Sequence, residues 1–179
     1  MRTAQTPTQV AAAVLAHLEP ILLDERPDWV LVQGDTTTVA AAALAAHYVR
    51  LRVGHVEAGL RTHDKWQPFP EETNRRVAGV VADLHFAPTE NARQNLLREG
   101  VADHTILVTG NPVIDALQWV AALPPTGDVQ SLLRELAPEQ YRLIVVTAHR
   151  RENFGQPLED ICLALRDIVA AAGDRVRIV

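Results

Sequence analysis

Apolar and polar positions alternate in blocks along the 179-residue chain, and the blocks have two kinds of period. Thr6-Pro7 with Gln9 reads as a helix start: a threonine cap, proline at the first helical position and a glutamine at the third. Val10, Ala13, Val14, Ala16, Leu18, Ile21 and Leu22 follow at helical spacing, with some drift, until the polar stretch Asp24 to Asp28 ends the run. WVLVQGD (29–35) is a short apolar run closing in Gly-Asp, the mark of a buried parallel strand that leads into a loop. Thr36 to Thr38 and an alanine-rich helix to about Tyr48 come next. RLRVGHVEAG (50–59) repeats the plan as a strand, and 71–82 reads as a helix. DLHFAPTE (83–90) is a third strand and turn, with Thr89 capping a helix over 89–99. TILVTGNP (105–112) predicts a fourth strand, and 113–122 a further helix.

The character changes at LPPTGDVQSLLRELAPEQ (123–140), with Pro124, Pro125 and Pro138. This stretch reads as an interdomain connection holding one short helix. YRLIVVTAHR (141–150) is the most strand-like run of the chain; 158–172 is helical, and RVRIV starts another strand. Strands alternating with helices imply an α/β fold: a Rossmann-like parallel sheet flanked by helices. The expected division is an N-terminal Rossmann-like domain over 1–122, the connection over 123–140, and the start of a second such domain over 141–179. Two strands and a helix do not build a layered domain, so the sequence reads as a fragment of a longer protein.

Composition narrows the partners. The hydrophobic fraction is 47%, and no apolar run nears the roughly 20 residues of a membrane helix. No secretory pattern opens the chain, so a cytoplasmic location without membrane attachment is expected. The formal net charge of −5 speaks against a nucleic-acid partner. Cys162 is the single cysteine, which rules out an internal disulfide and a thiolate-rich metal site. There is no GxxxxGK[ST] and no GxGxxG, so neither a P-loop nor a dinucleotide fingerprint is present.

Candidate chemistry collects where strands end. Ligands of open α/β sheets bind at the carboxyl ends of the strands, and here those ends carry Asp35, Glu57, Thr89, Asn111 and His149. Thr89 and Asn111 are ordinary cap and turn residues on this reading. Asp35 stands in GDTTT (34–38), either as a helix cap or beside an anion at a helix N-terminus. The stretch 54–75, GHVEAGLRTHDKWQPFPEETNR, is the densest: Glu57 after an apolar run, Glu71 and Glu72 opening a helix, and Arg61 and Arg75 close by. Carboxyl groups from different elements beside guanidinium groups suggest acid/base work next to an anion. His55 and Glu57 share a strand face, yet His55 reads as a structural hydrogen-bonding residue and no metal site is expected. HRREN (149–153) sets an imidazole beside two arginines that could hold a phosphate.

Six stretches in order resemble one family, the bacterial non-hydrolysing UDP-N-acetylglucosamine 2-epimerases: VQGDTTT (32–38), GHVEAGLRT (54–62), PFPEETNR (68–75), HFAPTE (85–90), VTGNPVIDAL (108–117) and VTAHRREN (146–153). The resemblance implies a glycosyltransferase-B-like pair of domains and no cofactor. It implies interconversion of UDP-N-acetylglucosamine and UDP-N-acetylmannosamine through loss and return of UDP. By position it makes Asp35, Glu57 and Glu71 the acid/base set and His149 a catalytic residue that holds the UDP phosphate side and assists elimination; Arg75 and Arg150 become substrate contacts. It also implies a homodimer. The family's GTRPE-bearing first strand and most of its second domain have no counterpart, so this chain alone is expected to be inactive. Readings kept open beside it are a hydrolysing epimerase, a glycosyltransferase of the same fold, and a non-catalytic UDP-sugar-binding remnant.

Overall fold

The computed structural model describes residues 5–149 and 153–179. It divides into two compact units, Met1–Asp115 and Ala116–Val179. In the first, α1 (Pro7–Glu25) leads to β1 (Trp29–Gln33), α2 (Thr37–Tyr48), β2 (Arg52–Val56), α3 (Glu71–Val81), β3 (Leu84–Ala87), α4 (Glu90–Arg98), β4 (Ile106–Val108) and the start of α5 (Pro112–Ala121). The second holds the rest of α5, α6 (Gly127–Leu136), β5 (Arg142–Ile144), α7 (Gln156–Ala172) and β6 (Val176–Ile178).

The four strands of the first unit form one parallel sheet in the order β1-β2-β3-β4. Val30 sits opposite Val53, His55 opposite His85, and Phe86 opposite Leu107. All carboxyl ends therefore lie on one edge. The second unit has a two-stranded parallel pair, β5 with β6. The α/β architecture is the expected one.

Helix starts follow the local chemistry closely. Thr6 Oγ1 accepts the Gln9 amide and the Thr6 amide donates to the Gln9 side chain, a reciprocal capping box. Thr36 and Thr89 cap α2 and α4 through their hydroxyl oxygens. Asp35 is thus not the α2 cap; the next residue is.

The strands are shorter than the apolar runs that announce them. The 29–35, 50–59, 83–90, 105–112 and 141–150 runs contain ladders of only three to five residues. Their polar tails leave the sheet to make loops. Single backbone bonds bind these loops to neighbouring strands: Gly34 to Val56, Ala58 to Phe86 and Thr109 to Ala87, at 2.9–3.1 Å.

Alanine sets the spacing of the core. Ala43, Ala45 and Ala46 of α2 are buried against Leu22, Val32, Val53 and Ala78. Small side chains let helix and sheet approach closely at little entropic cost. A second cluster, Ala58, Ala87, Ala92, Leu96 and Ile106, lies under α4. Gly59 joins that cluster to the loop after β2. A Cβ there would stand 2.3 Å from the Ala92 carbonyl oxygen, and its φ is +84°, so only glycine fits. Cover is uneven: β2 is buried on both faces at Val53, Gly54 and His55, whereas Leu31 of edge strand β1 is largely exposed.

Candidate functional site

The loops at the carboxyl edge of the sheet bring Asp35, Glu57 and Asn111 into one neighbourhood. β1 ends at Gln33, and Gly34 and Asp35 form the turn into α2. Glu57 is the first residue past β2 and holds a left-handed backbone, φ +65°, a conformation that costs a non-glycine residue of order 1 kcal/mol. Its Oε2 lies 3.6 Å from where a Cβ on Gly34 would stand, so the carboxylate faces the Gly34-Asp35 turn. Asn111 Nδ2 donates to Glu57 Oε1 at 3.2 Å.

Helix α3 supplies the third carboxylate. Glu71 and Glu72 open it, where negative charge suits the helix dipole. The two have different fates. Glu72, Arg75 and Ala78 fall on the buried face. Glu72 is fully buried; it accepts the Thr62 amide at 3.1 Å and is bound by Arg76 at 3.1–3.2 Å. It fastens the loop after β2 to α3. Glu71, half-buried, has no side-chain hydrogen bond or ion pair among the described residues. That leaves the Glu71 carboxyl without a protein partner among the described residues, whereas Glu72 is fully engaged.

Arg75 lies one helical turn beyond Glu71, on the same side. Its guanidinium pairs with Asp35 and donates to the Leu60 carbonyl at 3.2 Å. The expected substrate contact is therefore already engaged in holding Asp35 against α3. Arg61, suggested by sequence as an anion-binding group, has a buried side chain already engaged within the protein. It grips Glu99 through two bonds of 2.7–2.8 Å and its own Leu60 carbonyl. That pairing holds the Glu99 carboxyl below its ordinary range. Burial, not a charge on the surface, decides the role of each arginine here.

His55 is the structural residue expected of it. Its Nε2–H donates to the Gly34 carbonyl at 2.8 Å, fixing the peptide that precedes Asp35. Desolvation pushes its pKa down to about 4, so the ring is neutral. His85, its cross-strand neighbour, bonds the Gly79 carbonyl at 3.0 Å. Among the described residues no group of three or more histidine, cysteine or acidic side chains could hold a metal ion.

His149 belongs to the second unit, where its Nδ1 pairs with Thr147 Oγ1 at 2.8 Å and the residue is exposed. Arg150 lies outside the described residues. Sequence reasoning misses the tie between Asn111 and Glu57, because Asn111 reads as a turn residue. Its place at a strand's carboxyl end is the available signal.

An open parallel sheet with acidic side chains gathered on its carboxyl edge is an α/β scaffold of the kind that takes ligands at that edge. The chain belongs to the UDP-N-acetylglucosamine 2-epimerase family, whose model matches residues 1–179. It is 55% identical over 186 residues to the UDP-N-acetylglucosamine 2-epimerase of Salmonella typhimurium, covering 100% of this chain and 48% of the relative. A crystal structure of a putative UDP-N-acetylglucosamine 2-epimerase from Listeria monocytogenes superposes with a TM-score of 0.89 at 44% identity, over 98% of this chain and 45% of that one. The UDP-GlcNAc 2-epimerase of Neisseria meningitidis bound to UDP-GlcNAc gives 0.85 at 36% identity, over 100% and 50%. The chain spans about half the length of the curated relatives it matches.

Proposed function

We propose that residues 1–179 are part of an enzyme that interconverts UDP-N-acetylglucosamine and UDP-N-acetylmannosamine. The supporting observation is the convergence of Asp35, Glu57 and the Glu71–Arg75 face of α3 at the carboxyl edge of the sheet. The relative from Neisseria meningitidis, bound to UDP-GlcNAc, supports a UDP-sugar ligand. In the forward direction a base takes the C2 proton and the C1–O bond to UDP breaks with its electron pair. That leaves the 2-acetamidoglucal and free UDP. UDP then adds back at C1 while an acid returns a proton to the opposite face of C2. Two faces need two differently placed acid/base groups, and the leaving diphosphate needs positive charge. Asp35, Glu57 and Glu71 are the acid/base set; His149 and Arg150 act on the diphosphate side, and Arg75 orders Asp35 beside the sugar.

The enzyme works with a first Rossmann-like domain over 1–122, a connection over 123–140 and a second domain starting at 141. It works as a homodimer in the cytoplasm. Among the described residues no helix is long and apolar enough to cross a membrane.

The test is proton NMR of UDP-N-acetylglucosamine in D2O with a polypeptide of the relatives' length that carries this sequence. Deuterium at C2 together with UDP-N-acetylmannosamine is the expected result. Release of free N-acetylmannosamine would make the enzyme a hydrolysing one instead. Absence of exchange with retained UDP binding would mark a binding remnant. Residues 1–179 produced alone are expected to give no turnover.

A further inference from the structure

Asn111 carries a function that its turn position conceals. Its side chain makes two bonds, one from each end of the amide. Oδ1 accepts the Val113 amide at 3.1 Å and so closes the first turn of α5. Its backbone carbonyl accepts the Ile114 amide at 2.9 Å. With Oδ1 committed to the helix, the amide plane is set and Nδ2 has one direction left. It points across the edge of the sheet to Glu57 Oε1, 3.2 Å away and 54 residues earlier in the chain. Among the described residues Asn111 is the only donor to that carboxylate.

The consequence lies in how the Glu57 carboxylate is aimed. Its backbone is held in the left-handed region by the loop, which leaves the side-chain torsions as the freedom to be removed. Anchoring Oε1 turns Oε2 toward the Gly34-Asp35 turn. We infer that Asn111 is a positioning residue for the epimerisation: it uses the start of α5 as a fixed post from which to orient the Glu57 carboxylate beside Asp35. This rests on the reading of Glu57 as an acid/base group.

Asn111→Asp separates the two bonds. Aspartate is as good a helix cap as asparagine, so the α5 start survives. The donor, however, is replaced by a second carboxylate facing Glu57. In the polypeptide of the relatives' length, kcat should fall about 100-fold, the scale for displacing a reacting group by about an ångström. KM should stay as in the wild type, while Tm at neutral pH should fall modestly because the two ionised carboxylates repel each other in the folded chain. The acidic limb of the pH–rate profile should move to higher pH, since two adjoining carboxylates compete for one proton. Asn111→Ser keeps a capping oxygen without the reach; it should lower kcat and leave the pH profile in place. Wild-type kcat and pH profile in Asn111→Asp would overturn the inference and leave Asn111 a cap alone. Should the wild-type polypeptide itself show no C2 exchange, the proposed function fails first. The inference is then decided by carbon-13 NMR titration of the Glu57 carboxyl in residues 1–179. A midpoint moved by Asn111→Asp sustains the coupling, and an unmoved one overturns it.

Discussion

The two units have similar parts and different interiors. Met1–Asp115 buries alanine, leucine and valine from four strands and four helices in two clusters. In Ala116–Val179 no described residue reaches the same degree of burial. Helix α7 is as apolar as many buried helices, yet Leu163, Ile168 and Val169 remain 40–45% exposed. Periodicity makes a helix amphipathic, but only a second layer makes that face a core. The difference teaches where sequence changes will be felt: in the first unit packing decides, and in the second local propensity does.

Substitutions can press on that contrast. The largest effect is expected at Gly59, where a Cβ meets backbone 2.3 Å away at a positive φ. Gly59→Ala should cost at least ~4 kcal/mol, a clash that backbone and not a movable side chain must relieve. Urea unfolding followed by circular dichroism would show it, and a midpoint close to the wild type would break the account of that loop. Next come paired leucines. Leu96 is fully buried, and Leu96→Ala should cost about 4 kcal/mol. Leu163→Ala, at a half-exposed site, should cost less than about 0.5 kcal/mol. Equal losses would erase the distinction between the units.

Acid should weaken the first unit through His55. Its native pKa is about 4 against 6.5 in the unfolded chain. Between those values the unfolded state takes up the proton and the native state does not. Stability is therefore complete above pH 6.5 and declines as pH falls toward 4, by about 3 kcal/mol in all. Unfolding curves at pH 7 and 5 should show this slope, and His55→Asn should flatten it. A smaller effect than that of His55 is expected at Thr6, whose loss from the α1 capping box in Thr6→Ala should cost about 1 kcal/mol. Thermal denaturation suffices to measure it.

Much of the first unit is legible in the sequence because its signals are local. Thr6 and Thr89 announce their helices, whereas the α2 cap falls on Thr36, one residue past the Asp35 that the sequence offered; Gly34-Asp35 and Glu57 mark strand ends. The apolar runs overstate the strands: a polar tail continues a run in sequence but leaves the ladder in space. The choice between Glu71 and Glu72 is half legible, since the spacing 72, 75, 78 traces the buried face of α3. Arg61 misleads because its partner Glu99 lies 38 residues away, just past another helix. Asn111 hides its role for the same reason, its partner being two strands over. Local rules expose caps and turns; they do not reveal who meets whom across a sheet edge.

The left-handed backbone at Glu57 has a consequence for engineering. Glycine would sit there more comfortably than glutamate, by of order 1 kcal/mol. A library selected for thermal endurance alone would therefore drift toward Glu57→Gly and discard a carboxylate of the proposed site. Stability and chemistry pull this position in opposite directions, so any improvement programme for the protein has to hold residue 57 fixed.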